Sequence, residues 1–153
     1  MLAIAVVVSA PGEGPPAAEA SHSQAHRVVS FAKAHLGKPY RLGATGLKRF
    51  DCSGLVYRVF AQAGVLSKIG GSRKLARGYY RWLRDRGRVV SSPRVGDLVV
   101  YGRKRVTHIG IYIGRDKAGR PLAISALTNG VRKHRAKALT VPFKAYLRVN
   151  ITR

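Results

Sequence analysis

The chain has 153 residues, enough for one compact domain with a sizeable core and too few for two ordinary ones. Its formal charge is +23; all 29 Lys and Arg follow residue 23, while Glu13 and Glu19, two of only six acids, precede it. A field this positive draws polyanions, whether nucleic acid, anionic lipid surfaces or phosphate-rich envelope polymers, and charge alone does not choose among them. One cysteine excludes an intrachain disulfide, and Cys52, His35, His108 and His134 have no zinc-ligand spacing, so neither a metal nor another cofactor is expected.

Residues 2–10, LAIAVVVSA, are too short to span a bilayer as a stable anchor. With small residues at Ala18 and Ala20 they resemble a signal peptide cleaved after Ala20. No Lys or Arg stands ahead of the run, so either the true start lies upstream or the run is a flexible tail. The expectation is an exported protein, with a signal-like, Pro/Gly/Ala-rich segment over 1–23 and one domain over 24–153.

Ser23 is placed to cap a helix over 24–36, in which Val28, Val29, Ala32 and Leu36 recur at helical spacing before Gly37 and Pro39. A Gly- and Pro-containing loop fills 37–50. Asp51 is a good N-cap for a second helix with Leu55, Val56, Val59, Phe60 and Ala63 on its apolar face, ended by Gly64. A third helix from Ser72 would turn Leu75, Tyr79, Trp82 and Leu83 inward and Arg73, Arg77, Arg81 and Arg84 outward until Gly87, with Gly78 weakening it. Beyond Pro93 the period changes: Asp97–Tyr101, Val106–Gly114, Leu122–Ala126, Gly130–Arg135 and Ala145–Ile151 read as strands. Helices first and strands after argue for an α+β domain on an antiparallel sheet. No internal repeat is present.

Cys52 falls in the first turn of the second helix, where unpaired N–H groups and the positive end of the dipole favour thiolate. That suggests a nucleophile; the alternative is a thiol packed as a small hydrophobe. In Thr107-His108-Ile109-Gly110-Ile111-Tyr112-Ile113-Gly114, His108, Gly110 and Tyr112 share one strand face and the isoleucines the other. Near a strand start and facing a helix packed on the sheet, His108 could then meet the helix-start thiol as general base, or be a solvated or hydrogen-bonded strand histidine.

Four runs in order, Gly37-Lys38-Pro39-Tyr40-Arg41-Leu42-Gly43, Phe50-Asp51-Cys52-Ser53-Gly54-Leu55-Val56, Arg94-Val95-Gly96-Asp97-Leu98-Val99-Val100-Tyr101 and Thr107 to Gly114, resemble the NlpC/P60 cysteine peptidase domain over roughly residues 24–150. The resemblance implies a papain-like α+β fold, a nucleophile at Cys52 and a base at His108. It also implies substrate-side roles for Tyr40, Asp51 and Ser53. Those three have plainer readings as a packed loop residue, a helix cap and a partner for an early backbone group.

The family's third polar residue, usually His, falls here on Ser125 in Leu122-Ala123-Ile124-Ser125-Ala126. Asn129 and His134 stand outside as candidates, His134 within the basic run Arg132–Lys137. A short, neutral serine can orient a ring N–H but stabilises imidazolium less than a carboxylate would.

The activity implied is metal-free hydrolysis of the peptidoglycan stem peptide between γ-D-glutamate and the diamino acid, by a monomer held at the cell wall. Basic patches at the third helix, Arg103–Arg105 and Arg132–Lys137 would add anionic wall polymers or a membrane surface as partners. Two alternatives remain: a wall-binding module with little turnover, motivated by Ser125, and a nucleic-acid-binding domain, motivated by charge alone.

Overall fold

A computed structural model describes residues 12, 17–151 and 153. The expected signal-like run 2–10 lies outside the described residues, of which no helix is long and apolar enough to cross a membrane. Helix α1, Ala17–Ala34, begins upstream of the expected start, so Ser23 sits inside it instead of capping it. No Gly or Pro interrupts 17–36, which leaves nothing to stop the helix at residue 23. Val28 and Ala32 are buried as expected, but Leu36 lies beyond the helix end and is exposed.

Helix α2 runs Cys52–Gln62, capped by Asp51, whose carboxylate accepts from Gly54 N–H. Leu55, Val56, Val59 and Phe60 are fully buried. A 3-10 turn at Leu66–Ile69, not foreseen from spacing, leads into Gly70 and Gly71, both at positive φ. Helix α3 covers only Ala76–Arg84. Residues 72–75 lie outside the helix and Leu75 is extended, at φ −73°, ψ 164°, so Leu75 is exposed rather than part of the inward face; Tyr79 and Leu83 are buried and Trp82 is half-buried.

The strands are β1 (Val89–Val90), β2 (Leu98–Tyr101), β3 (His108–Arg115), β4 (Pro121–Leu127), β5 (Gly130–Arg135) and β6 (Phe143–Leu147). They form one antiparallel sheet in the order β1-β6-β2-β3-β4-β5. The expected strand at Val106 starts at His108, the one at Ala145–Ile151 sits earlier, and β1 is too short to leave a period-2 signal.

Both faces of the sheet are covered. Leu98, Val100, Ile109, Ile111 and Ile124 pack under the helices. On the other face Val99, Tyr101, Tyr112, Ala123 and Tyr146 form a second cluster, with Ala136, Leu139 and Val141 packed on it. Hence β2 is buried along its whole length and reads as an unbroken apolar run, as a strand hidden on both faces must.

Asp97 ties the chain end to this sheet. Its fully buried carboxylate accepts from Arg94 N–H (2.7 Å) and Val149 N–H (2.9 Å) and pairs with Arg148 (2.9 Å) and Arg153. An Asp97→Ala chain keeps two arginines facing an empty site and two orphaned N–H donors. Urea unfolding of it should show a loss of about 3–5 kcal/mol; a loss under about 1 kcal/mol would show that the cluster is dispensable.

Candidate active site

The site is built where the 37–50 loop crosses the start of α2. The loop is pinned by backbone bonds from Arg41 N–H to Phe50 O (2.9 Å), Phe50 N–H to Pro39 O (3.2 Å) and Asp51 N–H to Ala44 O (3.1 Å). It passes so close that a Cβ on Gly54 would lie 2.0 Å from the Ala44 carbonyl oxygen. Only glycine fits there, and the close crossing brings Tyr40 and Leu42 beside Cys52. A cleft of about 300 Å³ results, walled by Tyr40, Leu42, Cys52, Leu75, Arg105 and Thr107.

Asp51 does more than cap. One oxygen accepts from Gly54 N–H (2.6 Å) and from Arg73 (2.9 Å), the other from Gly43 N–H (2.8 Å). Arg73 also donates to Ser53 Oγ (2.7 Å). Asp51 and Ser53 border the cleft, but both are buried with their polar atoms engaged internally, whereas Tyr40 stays half-exposed. Arg73 was expected on the solvent stripe of the third helix. Because that helix starts four residues later, Arg73 lies outside it and turns into the site; no spacing in the sequence flags this residue.

Cys52 is half-buried, and the N–H groups of Ile109 and Ser53 point at its sulfur. The Ile109 contact puts the thiol one peptide unit from His108. Burial nevertheless pushes the thiol above its ordinary value, against the opposing pull of those N–H groups and Arg73. The thiolate expected from a helix start is therefore not the resting form, since loss of water outweighs the local dipoles here.

His108 heads β3 on the face opposite Ile109 and Ile111, so it looks away from the helices rather than toward one as expected, because the helices cover the isoleucine face; its ring lies 5.4 Å from that of Tyr101. Burial, and secondarily the charge of His134, lowers its pKa to about 4. Its Nε2 is buried with no hydrogen-bond partner among the described residues, and no hydrogen bond joins it to Cys52.

Ser125 sits on the same face, across from Gly110, where a Cβ would come within 2.3 Å of its hydroxyl. That hydroxyl is 2.8 Å from His134 Nε2, while His134 Nδ1 is 2.9 Å from Arg135 O. The carbonyl requires Nδ1 to carry the proton, so the Ser125 hydroxyl donates to Nε2 and is committed to His134. His134 is thus half-buried behind Ser125 rather than only a member of a solvated basic run. The period-2 register of β4 with β5, Ala123 opposite His134, is the signal that puts it on this face. Asn129 falls between β4 and β5, where its carbonyl accepts from Arg132. Among the described residues no cluster of His, Cys, Asp and Glu could hold a metal.

The resting thiol has a measurable signature. Iodoacetamide labelling of Cys52 should accelerate through and beyond the ordinary thiol range as pH rises. A rate already at its plateau at neutral pH would show that the helix start, and not burial, sets the pKa.

A profile of the NlpC/P60 family matches residues 37–138. The Bacillus subtilis protein named "Probable peptidoglycan endopeptidase LytE" is 35% identical over 115 residues, covering 71% of this chain and 32% of that protein. "Probable endopeptidase p60" of Listeria grayi is 36% identical over 114 residues, 74% of this chain and 20% of that one. The chain thus spans about a third or less of these relatives' length. Among solved structures, NlpC2 from Trichomonas vaginalis superposes with a TM-score of 0.65 at 24% identity, over 82% of this chain and 46% of that one. The NlpC/p60 domain of the peptidoglycan hydrolase SagA gives 0.58 at 22%, over 81% and 97%. Those two likenesses show a shared fold, and the family profile together with the sequence relatives establishes that the chain belongs to the NlpC/P60 family.

Proposed function

We propose that the chain is an exported cysteine peptidase that cuts peptidoglycan stem peptides at the amide between γ-D-glutamate and the diamino acid, with Cys52 as nucleophile and His108 as base. The observation that carries this reading is the thiol at the head of α2, opening onto a cleft and receiving the N–H of the residue after His108. The names of the Bacillus and SagA proteins support peptidoglycan as the substrate.

With the thiol raised and His108 lowered to about 4, both groups rest neutral. His108 then takes the thiol proton as sulfur attacks the carbonyl, instead of holding a preformed ion pair. A backbone N–H at the start of α2 holds the oxyanion. The imidazolium protonates the departing amine; His108 next activates water to hydrolyse the thioester. Attack requires His108, at the very start of β3 and on the face away from α2, to swing round the strand end toward the thiol when substrate enters, because no hydrogen bond joins them at rest. Tyr40, on the accessible rim beside the thiol, contacts the substrate.

A second reading keeps the cleft as a wall-binding site with little turnover. It is favoured by the unpartnered His108 Nε2 and by a Ser125 hydroxyl committed to His134.

Digestion of purified peptidoglycan beside Cys52→Ala separates the two. A peptidase releases new amino groups, and the variant loses at least about four orders of magnitude in rate. Equal wall binding with no cleavage by either protein supports the second reading. For the peptidase, catalysis needs neutral His108, so kcat/KM should stay flat from mildly acidic through neutral pH, and its acid limb should fall only as pH drops through about 4. An acid limb near 6.5, the ordinary histidine value, would contradict a buried neutral base.

A further inference from the structure

Next to the Cys52 cleft lies a hollow of about 210 Å³ ringed by six cations. Arg77, Arg81 and Arg84 come from α3, Lys104 and Arg105 from the turn between β2 and β3, and Lys144 from β6. Arg77, Arg105 and Val106 line both the hollow and the cleft, so the two are continuous.

No internal acid is free to neutralise this ring. Of the four acids after residue 23, Asp51 is paired with Arg73, Asp97 with Arg148 and Arg153, and Asp116 with Arg120. Asp85 alone is near, and it is bonded to Arg84 (2.9 Å). With Arg84 offset by Asp85, the five charges left around the concavity repel one another and lower stability unless an anion enters. The forked N–H donors of the four arginines match the oxygens of phosphate groups bidentately. The single aromatic in the hollow, Tyr80, has Arg84 5.4 Å and Lys144 6.0 Å from its ring centroid, which leaves it poorly available to stack on a base.

We propose that this hollow binds a base-free phosphodiester polymer, a polyol phosphate of the cell envelope, and so holds the Cys52 cleft against the wall material it cuts. The ligand class follows from charge and geometry; its connection with cutting rests on the peptidase reading above.

The test uses the Cys52→Ala chain, so that the wall stays intact, with wall sacculi before and after hydrofluoric acid removes their phosphodiesters. Soluble polyglycerol phosphate and duplex DNA are assayed beside them. Binding to intact sacculi should be roughly ten-fold or more tighter than to stripped ones and should weaken steeply with salt. Arg81→Gln, Arg84→Gln and Lys144→Gln together should abolish the difference and flatten the salt dependence. Equal binding to intact and stripped sacculi by the unsubstituted surface overturns the proposal without recourse to the triple variant. Tighter binding to DNA than to polyglycerol phosphate overturns it in favour of nucleic acid. Stem-peptide hydrolysis by the Cys52 chain is read separately: polymer binding without hydrolysis supports the hollow and removes the peptidase reading.

Discussion

The carboxylate of Asp51 is the point on which the site depends. It satisfies the start of α2 through Gly54, fixes the preceding loop through Gly43 and anchors Arg73 from the segment before α3. Three stretches distant in sequence thus meet on one side chain, directly before the cysteine. A buried carboxylate is tolerated only when its charge is matched and its lone pairs are filled, and here two N–H groups and a guanidinium do both. Orientation of the thiol follows, because Asp51 caps the helix directly before Cys52.

The sheet carries the proposed base, His108, under a different constraint. Its helix-covered face is aliphatic and dry, while the opposite face mixes tyrosines with His108, Ser125 and His134. A strand whose alternate residues serve two cores cannot slip by one position without exchanging them. Gly110 sharpens this further, since the Ser125 hydroxyl occupies the space a side chain would need. Register thereby fixes which polar groups neighbour His108, even though none of them bonds its Nε2.

What the sequence made legible was whatever local pattern controls. The Asp51 cap and the apolar face of α2 were plain, as were the alternation in β3 and the order of helices before strands. Boundaries failed where no breaker or cap marked them: α1 runs on through Ser23, and α3 starts late because two glycines and an extended Leu75 hold residues 70–75 out of the helix. Arg73 was illegible for the same reason, its role depending on where that helix begins. The Ser125–His134 contact depends on cross-strand register, a long-range property, although the β4–β5 alternation carried its trace. The elevated thiol was missed because a helix start lowers a pKa visibly in sequence, whereas burial is a property of the folded whole.

That last point bears on how so basic a protein can keep its thiol protonated. Surrounding cations favour thiolate and disfavour imidazolium, so they would depress both pKa values. For His108 burial acts in the same direction, and its value falls to about 4. For Cys52 the two effects oppose, and burial prevails, helped by the negative charge of Asp51; Arg73, the weakest of these influences on the sulfur, is already committed to Asp51 and Ser53. The remaining charge lies on exposed surface, where water and salt screen it within about 10 Å. Moving a proton from sulfur to imidazole leaves the net charge unchanged, so a uniform positive field neither drives nor prevents it. Under the proposed mechanism, what decides it is whether a bound substrate closes the distance and replaces lost water with fixed N–H donors, so control of reactivity lies in the cleft and the basic surface is left for the attachment proposed above.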